Sequence, residues 1–259
     1  VLIDTHCHLD PANCAEGPDA VIERARAAGV AALVVVGVGA DLGPARHAVA
    51  LAARRSDVFA AVGVHPHDAS ALDDAMLTEL TELAAHPRVV AVGEAGLDYH
   101  YLYSPKEVQR RVFARMIALA RQVDKPIVVH TREARDDTLD ILAQESARDV
   151  GGILHCYTED RAFAERALEL GLDLSFSGIV TFKSARELQA VAAWAPADRV
   201  LVETDSPYLA PVPFRGKPCE PAYVVHTARF IAALRGEPFE TFAERSSHNA
   251  IRRLGLVVA

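Results

Sequence analysis

The sequence lacks any apolar run reaching the roughly 18 residues of a membrane-spanning helix, which excludes a helical membrane protein. Its start shows neither the basic residues nor the apolar core of a secretory signal, so a cytoplasmic location is expected. Cysteine is scarce: Cys7, Cys14, Cys156 and Cys219 form no C-x-x-C pair, and single reduced thiols are expected rather than a disulfide framework. Basic charge is in deficit, with 27 Lys and Arg against 35 Asp and Glu, a net −8. A broad basic face gripping duplex DNA is therefore not expected. Nucleic acid held locally is not, because bound divalent cations invert the sign inside a cleft. No low-complexity linker or composition break divides the 259 residues, so one domain over 1–259 is expected.

What the chain does have is a regular alternation of β-branched apolar runs with amphipathic stretches, the pattern of repeated βα units. Strands are predicted at 1–6, 32–38, 58–64, 88–94, 126–131, 151–156, 172–178 and 199–205. A helix is predicted over 105–124, opened by Ser104 as N-cap with Pro105 at its first position. Eight such units in about 250 residues match a (β/α)₈ TIM barrel. A doubly wound open sheet is the competing architecture. Its dinucleotide-binding form needs G-x-G-x-x-G after the first strand, and "VVGVGAD" at 35–41 lacks that spacing.

Barrel chemistry gathers at the C-terminal ends of the strands. Those ends carry His6 and His8 in "LIDTHCHLD", His65 in "GVHPH", Glu94 in "GEAGLDYH", then His130, His155 and Asp205. Any one of them alone reads as a structural residue. Together, His6, His8, Glu94, His130, His155 and Asp205 form an imidazole and carboxylate set suited to Zn²⁺ or Mn²⁺, and through carboxylate and water to Mg²⁺. Two such ions about 3.5–4 Å apart clamp phosphoryl oxygens during in-line displacement. Residues two apart on a strand share a face. Asp4 and Glu203 should therefore lie one layer deeper than His6 and Asp205, where either can orient a ligand imidazole or join a buried ion pair. The same alternation turns Cys7 and Cys156 away from the ligands.

These segments, with "VVHTREA", "ILHCYTED", "SFSGIVTFKSA" and "ETDSPYLAPVPFRGKPCEPAY", are similar in order and spacing to the TatD family of metal-dependent deoxyribonucleases. The resemblance runs from residue 3 to "NAIRRLGL", and the last motif is the most specific. It implies a TIM barrel with up to two divalent metal ions. His6, His8 and Asp205 would hold one, His130 and His155 the other, and Glu94 would bridge them. Asp205 would also take the proton of the attacking water, and His65 would contact substrate phosphate. Arg132, Lys183, Ser206 and Arg215 are further candidates for phosphate binding. Ala95, His100, Glu159 and Asp160 depart from common family forms, and the two acids are expected to cap the next helix. No ligand position departs.

The expected activity is a 3′-to-5′ exodeoxyribonuclease acting on single-stranded DNA or frayed ends, without membrane or obligate protein partner. The same cage could polarise a carbonyl, so an amidase or aminoacyl-tRNA deacylase is the alternative. A non-catalytic scaffold that kept only the barrel should have lost at least one of the six ligands, and none is missing.

Overall fold

A computed structural model describes residues 1–11 and 14–258. Strands and helices alternate: β1 (Leu2–Cys7), α1 (Pro18–Ala27), β2 (Val30–Gly37), α2 (Gly43–Arg54), β3 (Val58–Val62), α3 (Asp74–Ala85), β4 (Val89–Asp98), α4 (Lys106–Gln122), β5 (Ile127–Arg132), α5 (Arg135–Gln144), β6 (Gly152–Leu154), α6 (Arg161–Glu169), β7 (Leu172–Phe176), α7 (Arg186–Trp194), β8 (Val200–Val202), α8 (Val224–Arg235) and α9 (Phe239–Leu254). The strands follow one another in sheet order from β1 to β8, the (β/α)₈ class expected from the alternation. The runs of β2 and β3 are apolar almost throughout because parallel strands are covered on both faces. In α4, Val112, Phe113, Met116, Ile117 and Ala120 recur at helical spacing and are buried. Burying a side chain such as Phe113 contributes about 1.5–3 kcal/mol.

Contacts group the chain into two compact units. One comprises Val1–Val35, His155–Glu165 and Asp173–Ala259; the other comprises Val36–Leu154 and Arg166–Leu172. In the first unit β1 pairs in parallel with β2, and Cys7 bridges to Ser206 beyond β8. Thr5 Oγ1 donates to the Val202 carbonyl and lies 3.0 Å from Ser175 Oγ. Asn249 of α9 donates to the carbonyls of Ala197 and Val200, anchoring the entry to β8. Buried Asp173 at the start of β7 gathers Arg199, Arg252 and Arg253. In the second unit β3 to β6 pair in parallel, and β4 pairs with β5 as far as Asp98↔Arg132.

Several element ends differ from expectation, each for a local reason. β4 runs four residues past Glu94, because "AGLD" stays buried and continues its ladder with β5. β8 stops at Val202, and Asp205 adopts a left-handed backbone (φ 56°) that ends strand geometry. Pro105 is the N-cap of α4 rather than its first helical residue. Ser104 does not cap that helix: its hydroxyl accepts from Ser70 N–H and donates to the His67 carbonyl. Asp160 does cap α6, accepting from Phe163 N–H at 2.9 Å.

Candidate metal centres

In the first unit, His6 and His8 leave β1 on one side, as two-residue spacing requires. Their Nε2 atoms lie 3.3 Å apart, with Asp205 Oδ1 at 3.7 and 3.5 Å. Backbone bonds fix this convergence: Asp205 N–H donates to the His6 carbonyl, and His8 N–H to that of Ser206. Nitrogen ligands bound to zinc at about 2.0–2.1 Å in tetrahedral geometry lie about 3.3 Å apart, so the two imidazoles stand at ligand spacing. Burial pushes the Asp205 carboxyl up, but the bond with His8 and the charges of His155 and His6 outweigh it, so the group stays below the usual carboxylate range.

His155, just past β6, stacks on the His6 ring at 3.9 Å. Its Nδ1–H donates to Glu203 Oε1 at 3.0 Å, and the same oxygen accepts Cys156 N–H at 2.7 Å. The assignment follows from the carboxylate being an acceptor, and it leaves Nε2 as the acceptor nitrogen of His155. Glu203 thus does what the deeper layer was expected to do. Its Oε2 is buried with no hydrogen-bond partner among the described residues, a state that a carboxylate tolerates best beside positive charge. Asp4 acts differently. It accepts from Thr204 N–H, Thr204 Oγ–H and His6 N–H, and so ties β1 to the segment after β8 rather than orienting an imidazole. Burial pushes its carboxyl up to about 8 despite these bonds.

In the second unit, Glu94 Oε1 accepts from His130 Nδ1 at 2.9 Å and faces His65 Nε2 at 3.4 Å. The register of β4 shifts between Val92 and Ala95, an irregularity of the kind that re-aims a side chain. Gly96 lets β4 approach β5: a Cβ there would lie 1.9 Å from the His130 carbonyl oxygen, and its φ is +149°. His65 caps the short helical turn that follows it, its Nδ1 accepting from His67 N–H at 3.1 Å. Burial lowers the His65 pKa against the pull of Glu94. A neutral ring whose Nδ1 accepts carries its proton on Nε2, so His65 is a donor in this cluster.

Asp98 and His67 escaped the sequence reading. Asp98 is buried at the end of β4, where Oδ2 takes His67 Nε2–H at 2.8 Å and faces His130 Nε2 at 3.4 Å. Burial raises its carboxyl, but the adjacent His130 imidazole and hydrogen bonds from Tyr101 N–H and His67 hold it well below the ordinary range. Gln109 of α4 clamps the Asp98 backbone from both sides. The signal was the even spacing 94, 96, 98 on one strand face, legible only once β4 is known to continue.

The donors therefore fall into His6–His8–Asp205, His6–His155–Glu203 and His65–Glu94–His130. Of these, His6–His8–Asp205 is the imidazole and carboxylate set whose spacing fits Zn²⁺ or Mn²⁺, while His65 and Glu203 enter the other two as hydrogen-bond partners of Glu94 and His155. Of the other candidates, Ser206 is buried beside Asp205, and its hydroxyl has no hydrogen-bond partner among the described residues. Arg132 lies over the Tyr101 ring and Arg215 over that of Phe182, while Lys183 is exposed.

The family profile described as TatD related DNase matches residues 3–255. The chain is 43% identical over 252 residues to YabD of Bacillus subtilis, named an uncharacterized metal-dependent hydrolase, covering 97% of this chain and 98% of that one. It is 32% identical over 262 residues to a Klebsiella pneumoniae protein named 3'-5' ssDNA/RNA exonuclease TatD, covering 99% of both. Among solved structures it is similar to YJJV, a TatD homolog from Escherichia coli, with a TM-score of 0.91, 28% identity and coverage of 99% and 98%.

Proposed function

The chain belongs to the TatD family of metal-dependent hydrolases, and from that premise we propose that it is a phosphodiesterase trimming single-stranded DNA or frayed ends from 3′ to 5′. The observation that carries this reading is the convergence of His6 Nε2, His8 Nε2 and Asp205 Oδ1 within 3.7 Å. His6, His8 and Asp205 would hold one divalent cation, and Glu94 with His130 a second, His155 completing the ligand set. Bound cations supply a water of lowered pKa and neutralise phosphoryl charge. Asp205 accepts the proton of the attacking water. His65, with its proton on Nε2, donates to a phosphoryl oxygen. Arg132 and Ser206 each hold a substrate phosphate, and Arg215 serves the rim. The 3'-5' exonuclease name of the Klebsiella relative supports the direction of attack. The reading places the work in the cytoplasm, within one domain and without an obligate protein partner.

The test is digestion of 5′-labelled single-stranded DNA by metal-stripped protein, with Mg²⁺, Mn²⁺ or Zn²⁺ restored singly. A ladder shortening from the 3′ end is expected, and Glu94→Ala should abolish it. Protein that binds the ions yet cuts no DNA would point instead to a carbonyl hydrolase such as an aminoacyl-tRNA deacylase.

A further inference from the structure

Beside the His65–Glu94–His130 cluster the second unit exposes a group of aromatic rings that no step above uses. Tyr101 and Tyr103 are 46% and 68% exposed, well beyond what a core role leaves open. Their rings are stacked, with centroids 5.4 Å apart and planes 12° from parallel. Between them Leu102 takes a left-handed backbone (φ 52°), rare for a branched residue and a mark of an imposed conformation. Asp98 imposes it from one side: its Oδ1 accepts both His100 N–H and Tyr101 N–H at 3.0 Å. The other oxygen of that carboxylate holds His67, whose ring meets Tyr103 edge-on at 4.8 Å and His65 at 4.3 Å. One buried carboxylate thus sets both the stacked tyrosines and the edge of the cluster.

The charges around the rings suit an anionic strand. The Arg132 guanidinium lies 4.7 Å from the centre of the Tyr101 ring and has no carboxylate partner among the described residues. Glu133, an acid beside this surface, is taken up by His100 Nδ1 at 2.7 Å. An exposed flat ring backed by a second ring and a cation is the construction on which unpaired bases stack, because every base offers a π-face. A paired base keeps its faces inside the duplex.

We infer that Tyr103, backed by Tyr101 and Arg132, is a stacking platform for an unpaired nucleobase next to the cluster. This rests on the nucleic-acid reading above and deepens it. The platform makes strandedness a matter of stacking: a single strand or a frayed end can lay a base on Tyr103, and an intact duplex cannot. Arg132 serves the adjoining phosphate as well as the Tyr101 ring.

The experiment uses short DNA single strands with phosphorothioate linkages that resist cleavage, incubated with the full chain in Mg²⁺. Each carries 2-aminopurine at one position near its 3′ end, and a companion strand is abasic at the same position. Stacking on Tyr103 should quench the aminopurine at one position. Tyr103→Ala should lose the quench and weaken binding about tenfold, while Tyr103→Phe should keep both. The abasic strand should bind wild type as weakly as Tyr103→Ala does, with no further loss when the two changes are combined. A normal strand that binds Tyr103→Ala as tightly as wild type would overturn the platform. So would a dimer in solution that Tyr103→Ala dissolves without changing strand affinity, since a second copy would then cover the rings. Quenching and binding by a protein that never cuts an unprotected strand would support the platform and remove the nuclease reading alone.

Discussion

Glu203 and Asp4 were alike in the sequence, each two residues before a ligand, and the structure gives them different work. Glu203 accepts His155 Nδ1–H and Cys156 N–H on one oxygen, so it fixes both the ring and its tautomer. Carboxylates in this position raise ligand basicity, and their loss costs about 10–100-fold in metal affinity. Glu203→Gln keeps an acceptor oxygen but removes the charge. Cation binding to metal-stripped protein should therefore weaken by about tenfold or more, read by titration calorimetry. Glu203→Gln that binds as wild type does would show that the carboxylate only fills space. Asp4 instead accepts from Thr204 N–H and Oγ–H, and the register of β1 against β2 shifts between Asp4 and Cys7. A one-residue irregularity is invisible to a rule of strict alternation. His6 and His8 were legible as a converging pair; the partner of each deeper acid was not.

At the level of strands, β4 and β5 determine how the second cluster is held. The two run side by side as far as Asp98↔Arg132, and the close approach depends on Gly96, where any side chain meets the His130 carbonyl. Gly96→Ala has to move one strand or strain its own φ of +149°. Overpacking of this kind typically costs about 1–3 kcal/mol. The variant should unfold at lower urea concentration and lose the 2.9 Å Glu94–His130 contact. A midpoint equal to that of wild type would show that the strands part without cost. The extent of β4 is also where the sequence reading stopped short. "GEAGLDYH" reads as a strand end followed by a turn because glycines punctuate it, yet ladder bonds and burial carry the strand on to Asp98. That misplaced end hid Asp98, and with it the support of Tyr101.

For the whole molecule, the alternation of apolar and amphipathic segments was enough to give the (β/α)₈ class, since each βα unit declares itself locally. The strand-end histidines and acids could be picked out for the same reason: the class says where side chains collect. The resemblance grouped His6, His8 and Asp205 as the structure does, but it did not place His65 with Glu94 and His130, because donor distances depend on backbone irregularities and turns. The clusters also bear on stability. Among the described residues several buried or half-buried imidazoles and carboxylates face one another within 3.7 Å. A cation that binds only the folded chain adds RT ln(1 + [L]/Kd), about 2.7 kcal/mol at a hundredfold excess over Kd. For a chain of this size each kcal/mol shifts the thermal midpoint by about 2–4 °C. Restoring Zn²⁺ or Mn²⁺ to stripped protein at that excess should therefore raise the midpoint by about 5–10 °C. His6→Ala with His8→Ala should remove part of that gain, leaving the part due to Glu94 and His130. A midpoint indifferent to every divalent cation would mean that the donors satisfy one another without metal, and the hydrolytic reading would lose its foundation.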